Sequence, residues 1–177
     1  MNDMEEKVLI LTVRMDNASQ QYFDELRKRY FPPERNFLKA HLTLFHQLKD
    51  LPETIDLLSE LSLSPFQMQV TTLINLGAGV AFRIEGQQLS ALRATLSRGL
   101  SDQLNAQDKH GFRGHVTVQN KTTPEIARGL LAELLADFNP FSIKALGLDL
   151  WYYLGGPWEH KQFFPFPMPD NSYLEKQ

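Results

Sequence analysis

The chain of 177 residues contains no cysteine, which excludes disulfides, a thiolate nucleophile and any zinc site built on cysteine. Long apolar runs are also absent. The aliphatic run at residues 8–13 is too short for a membrane span or for the apolar part of a signal peptide. The first six residues are acidic rather than basic. We therefore expect a cytoplasmic protein that makes no membrane contact.

Basic charge is scarce over the whole chain. There are 18 lysines and arginines against 21 acidic residues, and the net charge is −3. Proteins that hold long nucleic acids usually carry a basic stripe, so a long duplex is not the expected partner. A local basic enrichment comprises Lys109, Arg113, Lys121 and Arg128. Two interpretations of this enrichment remain open: it forms a solvated face, or it helps to bind a small phosphate ester or a nucleic-acid end.

Histidine is also infrequent, with five residues, yet two of them lie in the same short motif. The pattern His-x-Thr-x occurs as His41-Leu42-Thr43-Leu44 and as His115-Val116-Thr117-Val118. On a β-strand, residues i and i+2 point to the same face. Each motif thus predicts an imidazole and a hydroxyl side by side, with aliphatic residues turned into a core.

The surroundings of the two motifs also match, which indicates a diverged internal repeat. The two histidines are 74 residues apart. Each motif is followed by a Pro-Glu helix start, at Pro52 and Pro124, and then by apolar residues at helical spacing. Each helix is followed by a Pro-Phe pair, an extended run and a glycine-containing turn. The repeat predicts two lobes, each contributing one motif strand.

The hydrophobic periodicity predicts strands and helices that interleave along the chain. We expect helices from residue 17 to about 30, after Pro52, at 87–104 and after Pro124. A polar loop is expected at 105–114 and a proline-rich surface tail at about 165–177. The strands are expected at 8–14, 41–48, 66–76, 80–84, 115–120, 141–154 and 158–164. The predicted fold is α+β: a single bilobal domain over residues 1–177, a pseudo-symmetric duplication whose antiparallel sheets form a central cleft with helices packed outside.

The paired motifs suit acid–base chemistry on a phosphate ester. Histidine has an ordinary pKa near 6.5, so one ring can accept a proton from water while another protonates the departing ribose oxygen. The hydroxyls of Thr43 and Thr117 can donate hydrogen bonds to the phosphate oxygens. A nearby cation such as Arg113 or Lys121 can add positive charge. The sequence shows no His-x-His or Glu-x-x-His spacing, so we expect neither a metal nor a cofactor.

These motifs, their separation and the repeat resemble the two-histidine phosphoesterase superfamily, over about residues 8–164. That superfamily includes 2′-5′ RNA ligase-like proteins and 2′,3′-cyclic nucleotide phosphodiesterases. The resemblance implies a metal-independent site between two lobes, with His41 and His115 as the acid–base pair and Thr43 and Thr117 as phosphate ligands. It also implies hydrolase activity in RNA processing, on nucleotides or RNA termini with a 2′,3′-cyclic phosphate or a 2′-5′ linkage. Many bacterial members carry Arg-Pro before the second histidine, whereas this chain has Arg113-Gly114.

Other residues receive weaker predictions. Tyr153 or Trp158 can stack on a base, although the aromatic cluster around them is more typical of core packing. His46 is expected to be structural or exposed to solvent. His110 and His160 are expected at the surface, although either can approach the cleft. We expect the protein to be a monomer. The rival hypothesis is a module with the same cleft that binds a nucleotide or RNA end without turnover. ATP-dependent RNA joining is disfavoured, because the sequence contains no P-loop and no lysine-centred nucleotidyl-transfer motif.

Overall fold

The computed structural model describes residues 7–169, in which helices and antiparallel strands interleave. The strands are β1 (Val8–Met15), β2 (Leu42–Lys49), β3 (Phe66–Asn75), β4 (Val80–Glu85), β5 (His115–Gln119), β6 (Phe141–Tyr153) and β7 (Trp158–Pro165). The helices are α1 (Asn17–Tyr30), α2 (Pro52–Ser59), α3 (Gln87–Gly99), α4 (Ala106–Lys109) and α5 (Pro124–Ala136). None of these helices is long and apolar enough to cross a bilayer, for which about 20 residues are needed.

The seven strands form one antiparallel sheet in the order β1-β2-β5-β4-β3-β6-β7. The long strand β6 pairs with β3 through residues 141–145 and with β1 through residues 145–152. The β1–β6 pairing closes the sheet into a barrel-like arrangement. β7 continues from β6 as the outer strand of a hairpin. The structure thus confirms the antiparallel α+β class.

The order β-α-β-α-β occurs twice, from β1 to β3 and from β4 to β6, with α4 as an addition in the second series. The strand pairings correspond as well: β1–β2 matches β4–β5, and β3–β4 matches β6–β1. The two motif strands, β2 and β5, occupy equivalent places in this scheme and pair with one another.

Helix starts follow the local chemistry of the sequence. Asp16 precedes α1 and accepts a hydrogen bond from the Ser19 backbone N–H at 2.9 Å. Thr123 caps α5 in the same way, through the Ile126 backbone N–H at 3.3 Å. Pro52 and Pro124 are the first residues of their helices, where the missing N–H costs nothing.

The core lies between the helices and one face of the sheet. On the motif strands, Leu42, Leu44, Val116 and Val118 are all buried. Phe23 of α1 is fully buried, and its ring centroid lies 5.4 Å from that of Phe82 on β4. Burying one such side chain contributes about 1.5–3 kcal/mol. This alternation leaves the opposite face of the motif strands for polar residues.

The segment between β4 and β5 differs from its prediction. The helix expected at 87–104 ends at Gly99, where an added side chain would meet the Leu57 side chain at 2.7 Å. The expected loop at 105–114 contains α4, which the Asn105 side chain caps by accepting from the Asp108 N–H at 2.8 Å. The buried Asp108 carboxylate then accepts hydrogen bonds from the backbone of β2, which holds this short helix in place.

The predicted surface tail was wrong at its beginning. Pro165 belongs to β7, which is an outer strand, so its missing N–H removes no ladder hydrogen bond. Phe166 is buried, donates its N–H to the Leu146 carbonyl at 2.9 Å and stacks on Phe66 at 5.7 Å. Residues 167–169 are exposed, and residues 170–177 lie outside the described part of the chain.

Candidate functional site

The two motifs meet on one face of the sheet. Leu42 of β2 pairs with Val116 of β5 in antiparallel register. His41 therefore stands opposite Thr117, and Thr43 stands opposite His115, with all four side chains on the face away from the helices. The two histidines are diagonal neighbours, a relation that places Cβ atoms about 7–8 Å apart. The strands lie side by side in one sheet, and this adjacency brings the two imidazole–hydroxyl pairs together.

Both motif histidines are held by the same hydrogen bond. Nδ1 of His41 lies 2.8 Å from the Lys39 carbonyl, and Nδ1 of His115 lies 2.8 Å from the Arg113 carbonyl. A carbonyl oxygen can only accept, so Nδ1 carries the proton in each ring. Nε2 of the neutral ring is then the atom that can accept a proton from water.

Each histidine also has an arginine on the next strand outward. Arg83 of β4 pairs with His115 of β5. Val13 of β1 pairs with Leu42, so the following residue, Arg14, stands opposite His41. Cross-strand partners share a face of the sheet. Two arginines thus occupy the same face of the sheet on the strands that flank the motif strands, one on each side.

His41 lies under an aromatic ring. The centroid of the Trp158 indole is 4.6 Å from that of the His41 imidazole. Burial lowers the pKa of His41 to about 4, and the charges of Arg27 and His115 act in the same direction, against the hydrogen bond to the Lys39 carbonyl. His41 is therefore neutral at pH 7, as a proton acceptor must be.

Two buried arginines on helices donate hydrogen bonds to the backbone of the motif strands. Arg27 of α1 donates from Nη1 to the Thr117 carbonyl of β5 at 3.1 Å. Arg93 of α3 donates from Nε to the Leu44 carbonyl of β2 at 2.9 Å. Each guanidinium comes from a helix in one series of elements and holds the motif strand of the other. Both are less than a tenth exposed, so these hydrogen bonds are shielded from water.

A cavity of about 530 Å³ opens beside His41. Its wall combines aromatic rings with polar groups, and it borders only one of the two motif histidines. Ligand pockets usually measure about 300–1,000 Å³, so a nucleotide-sized ligand fits this space. The lining side chains that carry rings, charges or amides are Asn17, Gln20, Phe37, Lys39, His41, Asp149, Trp151, Trp158 and Arg14.

Only one of the other predicted ligand contacts lies against a motif histidine, and that residue is Trp158. Arg113 is exposed, and its side chain lines a separate cavity of about 240 Å³ together with Arg83. Lys121 is exposed in the turn after β5, where its φ is +61°. Tyr153 is 45% exposed and pairs with Trp158 across the β6–β7 hairpin, outside the lining of the cavity beside His41.

Sequence reasoning missed an ionic cluster at this cavity. The buried carboxylate of Asp149 accepts from Nε and Nη2 of Arg14, at 2.9 and 2.6 Å, and lies 2.8 Å from Nε2 of His160. His160 also packs edge-on against Trp151, with the ring centroids 4.9 Å apart. The available signal was a single charged residue within an apolar run, Arg14 in β1 and Asp149 within residues 145–151 of β6.

The remaining histidines lie elsewhere. His46 is exposed, and its Nδ1 lies 3.1 Å from the Asp108 carboxylate. Burial raises the pKa of Asp108, but hydrogen bonds from His46 and Gln47 outweigh it and leave that pKa lowered. His110 is exposed at a cavity of about 490 Å³ next to α3 and α4. Within residues 7–169, no group of three or more His, Asp or Glu side chains is arranged to hold a metal ion.

Comparison of the chain with known protein families identifies its superfamily. Residues 15–157 match the model of the 2′-5′ RNA ligase superfamily. The chain belongs to the 2′-5′ RNA ligase superfamily. The resemblance to the two-histidine phosphoesterases inferred from the motifs is thereby confirmed. A comparison with curated protein sequences finds no match.

Several solved structures share the fold. TT0787 of Thermus thermophilus is 15% identical with a TM-score of 0.63, covering 91% of this chain and 98% of that one. E. coli LigT complexed with 3′-AMP is 14% identical with a TM-score of 0.63, covering 93% and 100%. A structure described as a phosphoesterase is 15% identical with a TM-score of 0.60, covering 93% and 100%. At these identities the likeness shows the fold.

Proposed function

We propose that this member of the superfamily is a metal-independent phosphodiesterase acting on nucleotides or RNA ends with a 2′,3′-cyclic phosphate or a 2′-5′ linkage. The observation that carries the proposal is the pair of matched imidazole–hydroxyl sets on adjacent strands, each with Nδ1 tied to a carbonyl and Nε2 available. One ester can then contact both rings. The substrate lies in a cleft between two duplicated lobes, to which β2 and β5 each contribute one motif.

Hydrolysis of a cyclic phosphate requires one group that accepts a proton and one that donates a proton. His41 is neutral and is the base: its Nε2 takes a proton from water while the water oxygen forms a bond to phosphorus. His115 is the acid: it enters the step protonated and transfers its proton to the ribose oxygen as the phosphorus–oxygen bond breaks. The two rings exchange these protons with solvent before the next turnover.

The phosphate itself is held by neutral and charged donors. Thr43 and Thr117 donate their hydroxyl hydrogens to the non-bridging oxygens and keep the ester in line between the rings. Arg83, cross-strand from His115, places a positive charge beside the developing negative charge on phosphorus. Arg83 is a further candidate for this role beside Arg113, with which it lines the cavity of about 240 Å³, and Lys121.

The solved structures of similar fold support a nucleotide or phosphate ligand. E. coli LigT has been crystallised with 3′-AMP and with phosphate. A 3′-nucleotide is one of the two possible products of opening a 2′,3′-cyclic phosphate. The cavity beside His41 is of the right size for the nucleoside part of such a ligand.

The experiment is a substrate panel with the purified full chain. We expect turnover of 2′,3′-cyclic AMP and of a 2′-5′-linked diadenylate, but none of a 3′-5′-linked diadenylate, and we expect unchanged rates in EDTA. Product analysis by chromatography gives the position at which the ring opens. Tight binding of 3′-AMP without turnover of either substrate over hours would replace this proposal with the non-catalytic binding module. Loss of turnover in EDTA would remove the metal-independent mechanism.

A further inference from the structure

The wall of the cavity beside His41 contains an arginine, Arg14, whose side chain is held in one orientation. Nε and Nη2 of Arg14 form a two-point contact with Asp149 at 2.9 and 2.6 Å, which orients the planar guanidinium. Nη1 donates to no atom within residues 7–169, and the side chain is 39% exposed. Arg14 therefore keeps an oriented charged donor for a ligand in the cavity.

The Asp149 carboxylate holds this arginine in place. It is 5% exposed and accepts from Arg14 on one side, while Nε2 of His160 lies 2.8 Å from it on the other. Phe163 lies beneath the guanidinium, whose central carbon is 3.5 Å from the ring centroid. These contacts already restrict the Arg14 side chain, so it loses less conformational entropy when it binds an anion.

Arg14 is one strand farther from the reacting phosphate than either motif histidine. In the proposed reaction the cyclic phosphate lies between His41 on β2 and His115 on β5, whereas Arg14 is on β1. Neighbouring strands are about 4.8 Å apart. The Arg14 guanidinium therefore reaches an anion one strand spacing beyond the reacting phosphate, on the cavity side.

We infer that Arg14 and the exposed Lys39 in the same wall form a subsite for a second phosphate, one nucleoside away from the reacting one. That phosphate is the 5′-phosphate of the terminal nucleotide, as a monoester or as the diester that continues an RNA chain. The inference rests on the proposed function, which places the reacting phosphate between the histidines. It predicts a preference for 5′-phosphorylated ligands over simple nucleosides with a cyclic phosphate.

Equilibrium binding tests this subsite without relying on catalysis. Calorimetry compares adenosine 3′-monophosphate with adenosine 3′,5′-bisphosphate, which differ only in the 5′-phosphate. We expect the wild-type chain to bind the bisphosphate at least about tenfold more tightly, as for a charge-assisted hydrogen bond. In Arg14→Gln that advantage should fall to about threefold or less. In Arg128→Gln, which removes an exposed arginine of α5, it should persist.

Arg14→Gln leaves Asp149 without its cation, so a second variant protects the test against misfolding. Arg14→Gln/Asp149→Asn removes both charges and retains neutral hydrogen-bonding side chains, and it should lose the bisphosphate advantage equally. Equal wild-type affinities for the two ligands would overturn the second subsite while turnover of 2′,3′-cyclic AMP still supports the proposed function. An advantage that survives in both variants would overturn the assignment to Arg14. If the chain neither binds these ligands nor turns over 2′,3′-cyclic AMP, the proposed function and this inference are both removed.

Discussion

The two motif strands are built alike but have different neighbours. Both histidines tie Nδ1 to the carbonyl two residues earlier, at 2.8 Å in each case. Both have an arginine on the next strand outward. Only His41 lies under an indole and borders the 530 Å³ cavity, and burial there lowers its pKa to about 4. Equivalent scaffolds thus place two identical rings, and the neighbours of each ring make them chemically unequal.

Under the proposed function, this difference shows how a repeated unit can serve a reaction that is not symmetric. Ester hydrolysis needs a base at one side of phosphorus and an acid at the other, which two rings in identical surroundings would not provide. The β6–β7 hairpin supplies the distinction, because it brings Trp158 over His41. The flanking arginines differ in the same way. Arg14 is fixed by Asp149 of β6, whereas the cross-strand neighbour of Arg83 on β3 is Thr72.

The largest expected effect comes from removing either ring. His41→Asn or His115→Asn should lower kcat/KM for 2′,3′-cyclic AMP by about 10²–10⁴-fold, because each removes one proton transfer. The double variant should be little worse than either single one, since the two rings act as a unit. Initial rates measure this, with His110→Asn as the control at an exposed histidine. Effects that simply multiply in the double variant would show that the rings act independently.

The next effect concerns the paired supports of the motif strands. Arg27→Met and Arg93→Met should each lower the free energy of unfolding by about 2 kcal/mol, because the Thr117 and Leu44 carbonyls lose their charged donors. Urea unfolding measures the loss, and Arg128→Met on the exposed face of α5 should stay within about 0.5 kcal/mol of wild type. Similar losses of unfolding free energy in the two variants would show that the two motif strands are supported equally. A loss in only one variant would show that they are not.

The smallest expected effect concerns the difference between the two histidines, namely the Trp158 indole over His41. A basic role for His41 needs the neutral ring, so kcat/KM should fall as the pH drops through the pKa of His41. Trp158→Ala exposes the ring and raises that pKa from about 4 toward the ordinary 6.5, which should move the acidic limb up by about one pH unit. A kcat/KM profile from pH 4 to 8 measures the shift, with Leu154→Ala at the exposed hairpin turn as control. An unmoved limb would separate Trp158 from the titration of His41.

The sequence was sufficient to predict most elements because their signals are local. Alternation in β2 and β5, proline at the start of α2 and α5, and a capping Asp16 each act within a few residues. The family resemblance rested on two short motifs of this kind. The residues that distinguish His41 are non-local: Trp158 reaches it through a hairpin, and Arg14 meets Asp149 only once β1 and β6 pair. Strand register, which these motifs do not specify, decides such contacts.

The crossed arginine supports have a consequence for how the chain can be divided. A fragment ending in the Gly77–Gly79 turn would keep Arg27 but lose the Thr117 carbonyl that it holds, and its own Leu44 carbonyl would lose Arg93. The complementary fragment would be deficient in the mirror-image way. Each piece thus lacks the strand carbonyl to which its own buried arginine donates, so co-expressed pieces should reassemble, whereas either piece alone would lose one of that arginine's hydrogen bonds.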